Sequence, residues 1–255
     1  MRIKKILSKR GELTTKQLVT IIVIIVSFII ILFLILRLNL GGKTFKEVCH
    51  NSVILNSQSG GFSGPLDCTT TSVCISGGGK CQKTNPSSTI KINLRGENPK
   101  KEILEAIAKE MVDCWWMFGE GEVKYVSETI FTSKTSCAVC SIIEFDEKIQ
   151  NSGIVINYRN LYDYLNETPK TSTQTYLDYL YSENDLGIII ELGLFPKLEH
   201  IPFNFSKDYS IITGIHNNPI VGFWEDSMYL KPLILESTPE SYSSLGCDNI
   251  LSKSG

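Results

Sequence analysis

Eight cysteines stand out first, four early at Cys49, Cys68, Cys74 and Cys81 and four late at Cys114, Cys137, Cys140 and Cys247. Thiol groups in that number suit thiol–disulfide exchange, metal ligation or covalent bracing. Cys137-Ala138-Val139-Cys140 has the spacing of a redox pair. A redox pair needs its first cysteine at a helix N-terminus just after a strand, where the dipole lowers its pKa. Here the approach, "FTSKTS", is polar and the exit, "SIIEFD", has the β-branched character of a strand. Neither half of that setting is present. Bracing is the expected role, with a thiol–disulfide oxidoreductase using Cys137 and Cys140 as the alternative.

Metal ligation fits less well. The early cysteines lack paired CxxC ligands and have His50 as their only nearby histidine, while His200 and His216 lie at no metal-ligand spacing from each other or from a cysteine. No metal and no cofactor is expected. Ser63 in "GFSGP" lacks the second glycine position of a nucleophile elbow. "SGGGKC" places cysteine where a phosphate-binding loop needs Ser or Thr. With no catalytic residue assigned, an enzyme is not expected. Asn166-Glu167-Thr168 and Asn204-Phe205-Ser206 match the N-glycosylation sequon, the first followed at once by Pro169.

The pairing expected of the cysteines follows from the loops between them. In "VCISGGGKC" the glycines suit a hairpin that brings Cys74 opposite Cys81, which leaves Cys49 for Cys68. Cys114 is expected to pair with one of the CxxC cysteines, tying a helix to a sheet, and Cys247 with the other, pinning the C-terminus.

The elements that carry these residues are legible in part. Asn98, Pro99 and Glu102 mark a helix start and Gly119 its end, with Ile103, Ile107, Met111, Cys114, Trp115 and Phe118 on one face. At least one of Trp115 and Trp116 is expected in the core. "RNLYDYL" and "STQTYLDYLY" read as helices; "SIIEFD", "GIVINY", "LGIIIEL", "YSIITGI", "PIVGFWE" and "MYLKPLILE" read as strands, Pro232 placing the last at an edge or a bulge. The predicted fold is α+β with a mainly antiparallel sheet. It is divided into a loop-rich cysteine module at 43–95, a main domain at 96–247 and a frayed tail at 248–255.

Ahead of it lies "LVTIIVIIVSFIIILFLIL", residues 18–36, without charge, Gly or Pro. At about 1.5 Å per residue this run matches a bilayer core of about 30 Å. It predicts a transmembrane helix at 18–40 behind a basic N-terminus at 1–17. Arg2, Lys4, Lys5, Lys9, Arg10 and Lys16 against Glu12 place that N-terminus in the cytoplasm and the rest outside the plasma membrane. Of the chain's 25 basic and 27 acidic side chains, residues 41–255 keep 18 and 26, an acidic balance that does not suit nucleic acid. The expected partners are the lipid bilayer and either further copies of the chain or a cell-surface protein.

Lys9-Arg10-Gly11-Glu12 ahead of the apolar run resembles the leader of archaeal type IV pilin-like proteins. That resemblance implies cleavage between Gly11 and Glu12 and assembly into a surface filament. Lys16 stands where those proteins usually carry glutamate. The wider pattern, with "DCWWMFGEG" and "CAVCSIIEFD", resembles uncharacterised archaeal single-pass membrane proteins, which implies topology but no activity. The sequence is therefore read as a membrane-anchored extracellular structural or interaction protein.

Overall fold

The computed structural model describes residues 15–37, 45–59, 64–81, 86–126, 134–181, 201–217 and 228–253. The chain divides into two compact units, 1–43 and 44–255. In the first, helix α1 spans Thr15–Arg37. Its side chains are described at 17–30, and all of these are exposed. That described stretch is about 21 Å long. No helix is long and apolar enough to cross a membrane on the described residues alone. The 23-residue backbone helix nonetheless covers the whole apolar run from Leu18 to Leu36.

The second unit is a mixed α+β domain. Its elements are α2 (Phe45–Gln58), β1 (Thr71–Ser76), β2 (Ser88–Lys91), α3 (Pro99–Met117), β3 (Lys134–Phe145), α4 (Glu147–Gln150), α5 (Tyr158–Glu167), β4 (Tyr209–Asn217), β5 (Met228–Glu236), α6 (Pro239–Ser244) and β6 (Asn249–Ile250). A further helical stretch occupies 176–181. One sheet runs β2-β1-β3-β4-β5, with β6 beside the first half of β3. The long pairings β3–β4 and β4–β5 are antiparallel, as expected. The pairings of β1 with β2 and β3, and of β6 with β3, are parallel.

Helix α3 forms as its sequence dictates. The Asn98 side chain accepts from the Lys101 N–H, Pro99 opens the first turn, and Gly119 beyond the end takes a φ of +76°. Its apolar face, with Ile103, Ile107, Met111, Cys114 and Trp115, joins Val73, Ile75, Ala138, Ile143, Phe145, Ile211 and Ile215 of the sheet in the main core. The opposite sheet face carries a smaller cluster, Cys137, Val139, Ile212 and Leu235, covered by Tyr242, Leu245 and Cys247. Pro232 behaves as anticipated. β5 is an edge strand, and the register shifts where Pro232 and Lys231 pass Thr213.

Several expectations give way. The segment 43–95 is not a separate loop-rich module, because α2 fills its first third and β1 and β2 belong to the common sheet. "SGGGK" does not turn a hairpin, since β1 and β2 run parallel. "GIVINY" is not a strand. Asn157 and Asn160 exchange hydrogen bonds in a capping box that starts α5 instead. The tail is tied down as well: β6 pairs with Ser136 and Cys137, and the Lys253 N–H donates to the Cys68 carbonyl at 2.8 Å. "LGIIIEL" and "PIVGFWE" lie outside the described residues.

Candidate functional site

All eight cysteines form disulfides: Cys49–Cys68, Cys74–Cys81, Cys114–Cys140 and Cys137–Cys247. Both early pairs match expectation, and the structure resolves the late choice by placing Cys137 and Cys140 within β3. Side chains three apart on a strand point to opposite faces. Cys140 accordingly joins the main core beside Cys114 of α3, and Cys137 joins the small cluster beside Cys247. Both sulfur positions are buried. Among the described residues neither cysteine stands at a helix N-terminus that could stabilise a thiolate, so the geometry suits bracing rather than redox exchange.

The glycine run has a different occupant from a phosphate. Asp146, 1% exposed, sits at the end of β3 and caps α4 by accepting from the Ile149 N–H at 2.9 Å. Its other oxygen accepts from the Ser76 hydroxyl at 2.8 Å and from the Gly79 N–H, and the Gly77 N–H also donates to the carboxylate. Burial on its own would raise this carboxyl pKa, but the donors outweigh it and the net shift is downward. A Cβ at Gly79 would stand 2.7 Å from the Asp146 oxygen, which is why glycine occupies that position. The loop's anion-binding geometry is filled from within the chain.

Sequence reading missed a polar cluster where α2 meets α3. Lys46, in the first turn of α2, donates to Glu110 at 3.0 Å and to Asp113 at 2.6 Å. Burial lowers the Lys46 pKa, and the two carboxylates more than reverse it. One turn on, the His50 ring stacks on Trp116 with centroids 4.1 Å apart, its Nδ1 2.7 Å from the Trp116 carbonyl oxygen. Trp115 fills the core, with Lys231 placed over its ring. The partners in this cluster are more than sixty residues apart in the chain. No local spacing announces them; the available sign was the acid pair on an otherwise amphipathic helix.

The remaining candidates are dispersed. His216 shares a hydrogen bond with the Thr135 hydroxyl, Asn166 is exposed in the last turn of α5, and Asn204 is exposed in the turn before β4. Ser63, His200, Gly11 and Glu12 lie outside the described residues. Among the described residues no group of His, Cys, Asp and Glu is arranged to hold a metal ion. An open groove of about 350 Å³ lies between the start of α3 and α5, lined by Asn98, Lys101, Leu104, Asp163, Tyr164 and Glu167 among others. Charges of both signs share it, Lys100 and Lys101 on one side and Asp163 and Glu167 on the other. No family model, curated protein or solved structure matches the chain.

Proposed function

We propose that the chain is a membrane-anchored structural or interaction protein of the cell surface. Residues 1–17 lie in the cytoplasm, α1 crosses the bilayer, and the disulfide-braced domain stands outside. The observation that carries this reading is the pairing of every cysteine in the chain. Such bonds persist in oxidising spaces beyond the cytoplasm. The basic N-terminal flank and the apolar run of 18–36 support the same orientation. Protease added to intact cells tests it: the domain beyond residue 44 is digested while the N-terminal peptide is protected. Protection of the whole chain overturns the reading.

A pilin-like subunit is the second reading, favoured by the outward apolar side chains of α1 at 18–30, which suit helix-to-helix assembly as well as lipid. The mass of the mature N-terminus separates the two. A chain that begins at Glu12 supports the filament, and one that retains residues 1–11 supports the anchor.

A further inference from the structure

Two sequons are present, and their surroundings are unlike. Asn166 occupies the final turn of α5. Thr168, its hydroxyl residue, is held in the C-cap: its N–H donates to the Tyr164 carbonyl at 3.0 Å, its hydroxyl is engaged by the Tyr164 side chain, and Pro169 follows directly. Asn204 instead stands in a tight turn, where its carbonyl accepts from the Lys207 N–H at 2.8 Å. Its side-chain oxygen accepts from the Ser206 N–H at 3.0 Å, which brings acceptor amide and sequon hydroxyl residue to the same side. Phe203 and Phe205 are buried, Phe205 against Phe145 at 4.6 Å and Phe203 against Tyr158 at 4.7 Å. The chain alternates, so Asn204 and Ser206 both face solvent. A bulky glycan on Asn204 displaces no core side chain.

We infer that Asn204 is a site of N-linked glycosylation and that Asn166 is not. The inference rests on the external placement proposed above. The donor is an oligosaccharide joined through its anomeric carbon to a polyisoprenyl phosphate or pyrophosphate, used by a transferase on the outer side of the membrane. A bond forms between Asn204 Nδ2 and the anomeric carbon. The anomeric carbon–oxygen bond breaks, its electron pair leaves with the lipid phosphate, and one Nδ2 proton passes to a base on the transferase. The sugar remains extended into solvent from the turn, next to the start of β4 and away from the buried aromatics.

Peptide mapping of the full-length chain purified from its native cells, with thiols blocked before lysis, tests this. The peptide holding Asn204 is expected to carry a glycan mass, lost completely in Asn204→Gln and Ser206→Ala, kept in Ser206→Thr and unchanged in Asn166→Gln. An unmodified Asn204 peptide from a chain whose cysteines are all disulfide-bonded overturns the glycosylation site and leaves the external placement standing. Cysteines blocked as free thiols overturn both. A glycan found on Asn166 with Asn204 bare overturns the choice between the two.

Discussion

At the scale of single residues, Asp146 shows how much one carboxylate organises. It joins β1, the glycine loop and α4 through four donors. Asp146→Ala strands those donors in a buried site and is expected to cost roughly 3 kcal/mol, from about 1–3 kcal/mol for each strongly held bond lost, partly offset by water entering. The pH dependence has a definite sign. The folded-state pKa lies below the usual carboxylate value of 3.8, so Asp146 contributes its full stability above that value and loses it as the pH falls through the lower folded-state pKa. Urea unfolding midpoints at pH 7 and pH 3 check this: the wild type falls between them, and Asp146→Asn, already weakened at pH 7, falls less. The sequence showed that the glycine run lacked the residues of a phosphate loop, but not that an aspartate 67 positions away would fill it. That contact depends on β1 and β3 being parallel neighbours, which no local pattern encodes.

Among the elements, α2 is the one the sequence concealed. Its Phe45, Val48 and Leu55 face outward and its Cys49, Val53 and Asn56 inward, so the apolar residues do not gather on one buried stripe. The helix is held instead by the Cys49–Cys68 bond and by Lys46, which neutralises Glu110, itself 5% exposed. Lys46→Ala is expected to destabilise by roughly 2–3 kcal/mol, less than the roughly 3–5 of a fully buried broken pair because a quarter of the Lys46 side chain reaches solvent. Adding Glu110→Gln should recover part of that loss, measured by chemical denaturation of both variants. By contrast α3 was legible almost to the residue, because its cap, first-turn proline and terminal glycine are all local. Asn98→Ala should cost about 1 kcal/mol, read as a lowered thermal midpoint. The β4 and β5 strands were legible for the same reason, whereas "GIVINY" misled because β-branched content outweighed the capping signal of Asn157 and Asn160.

At the scale of the whole molecule, stability is divided between a core and four crosslinks. Residues 44–255 contain the entire sheet and both hydrophobic clusters. Expressed without residues 1–43 in an oxidising space, they are expected to fold as a soluble domain, checked by gel filtration and a cooperative thermal transition. The crosslinks are unequal. Cys137–Cys247 closes a separation of 110 residues and Cys74–Cys81 one of 7. Chain entropy assigns them about 4.8 and about 2.4 kcal/mol, so Cys137→Ser/Cys247→Ser should lower the denaturation midpoint more than Cys74→Ser/Cys81→Ser. The straddled strand also sets a problem of timing. Cys114 and Cys140 enclose Cys137, whose own partner is Cys247 near the far end of the chain. A polypeptide delivered from its N-terminus therefore presents Cys137 to Cys114 before either final partner has arrived. A Cys114–Cys137 bond formed at that moment has to be undone by thiol attack before both native bonds can close, so the order in which the thiols react decides how directly the fold matures.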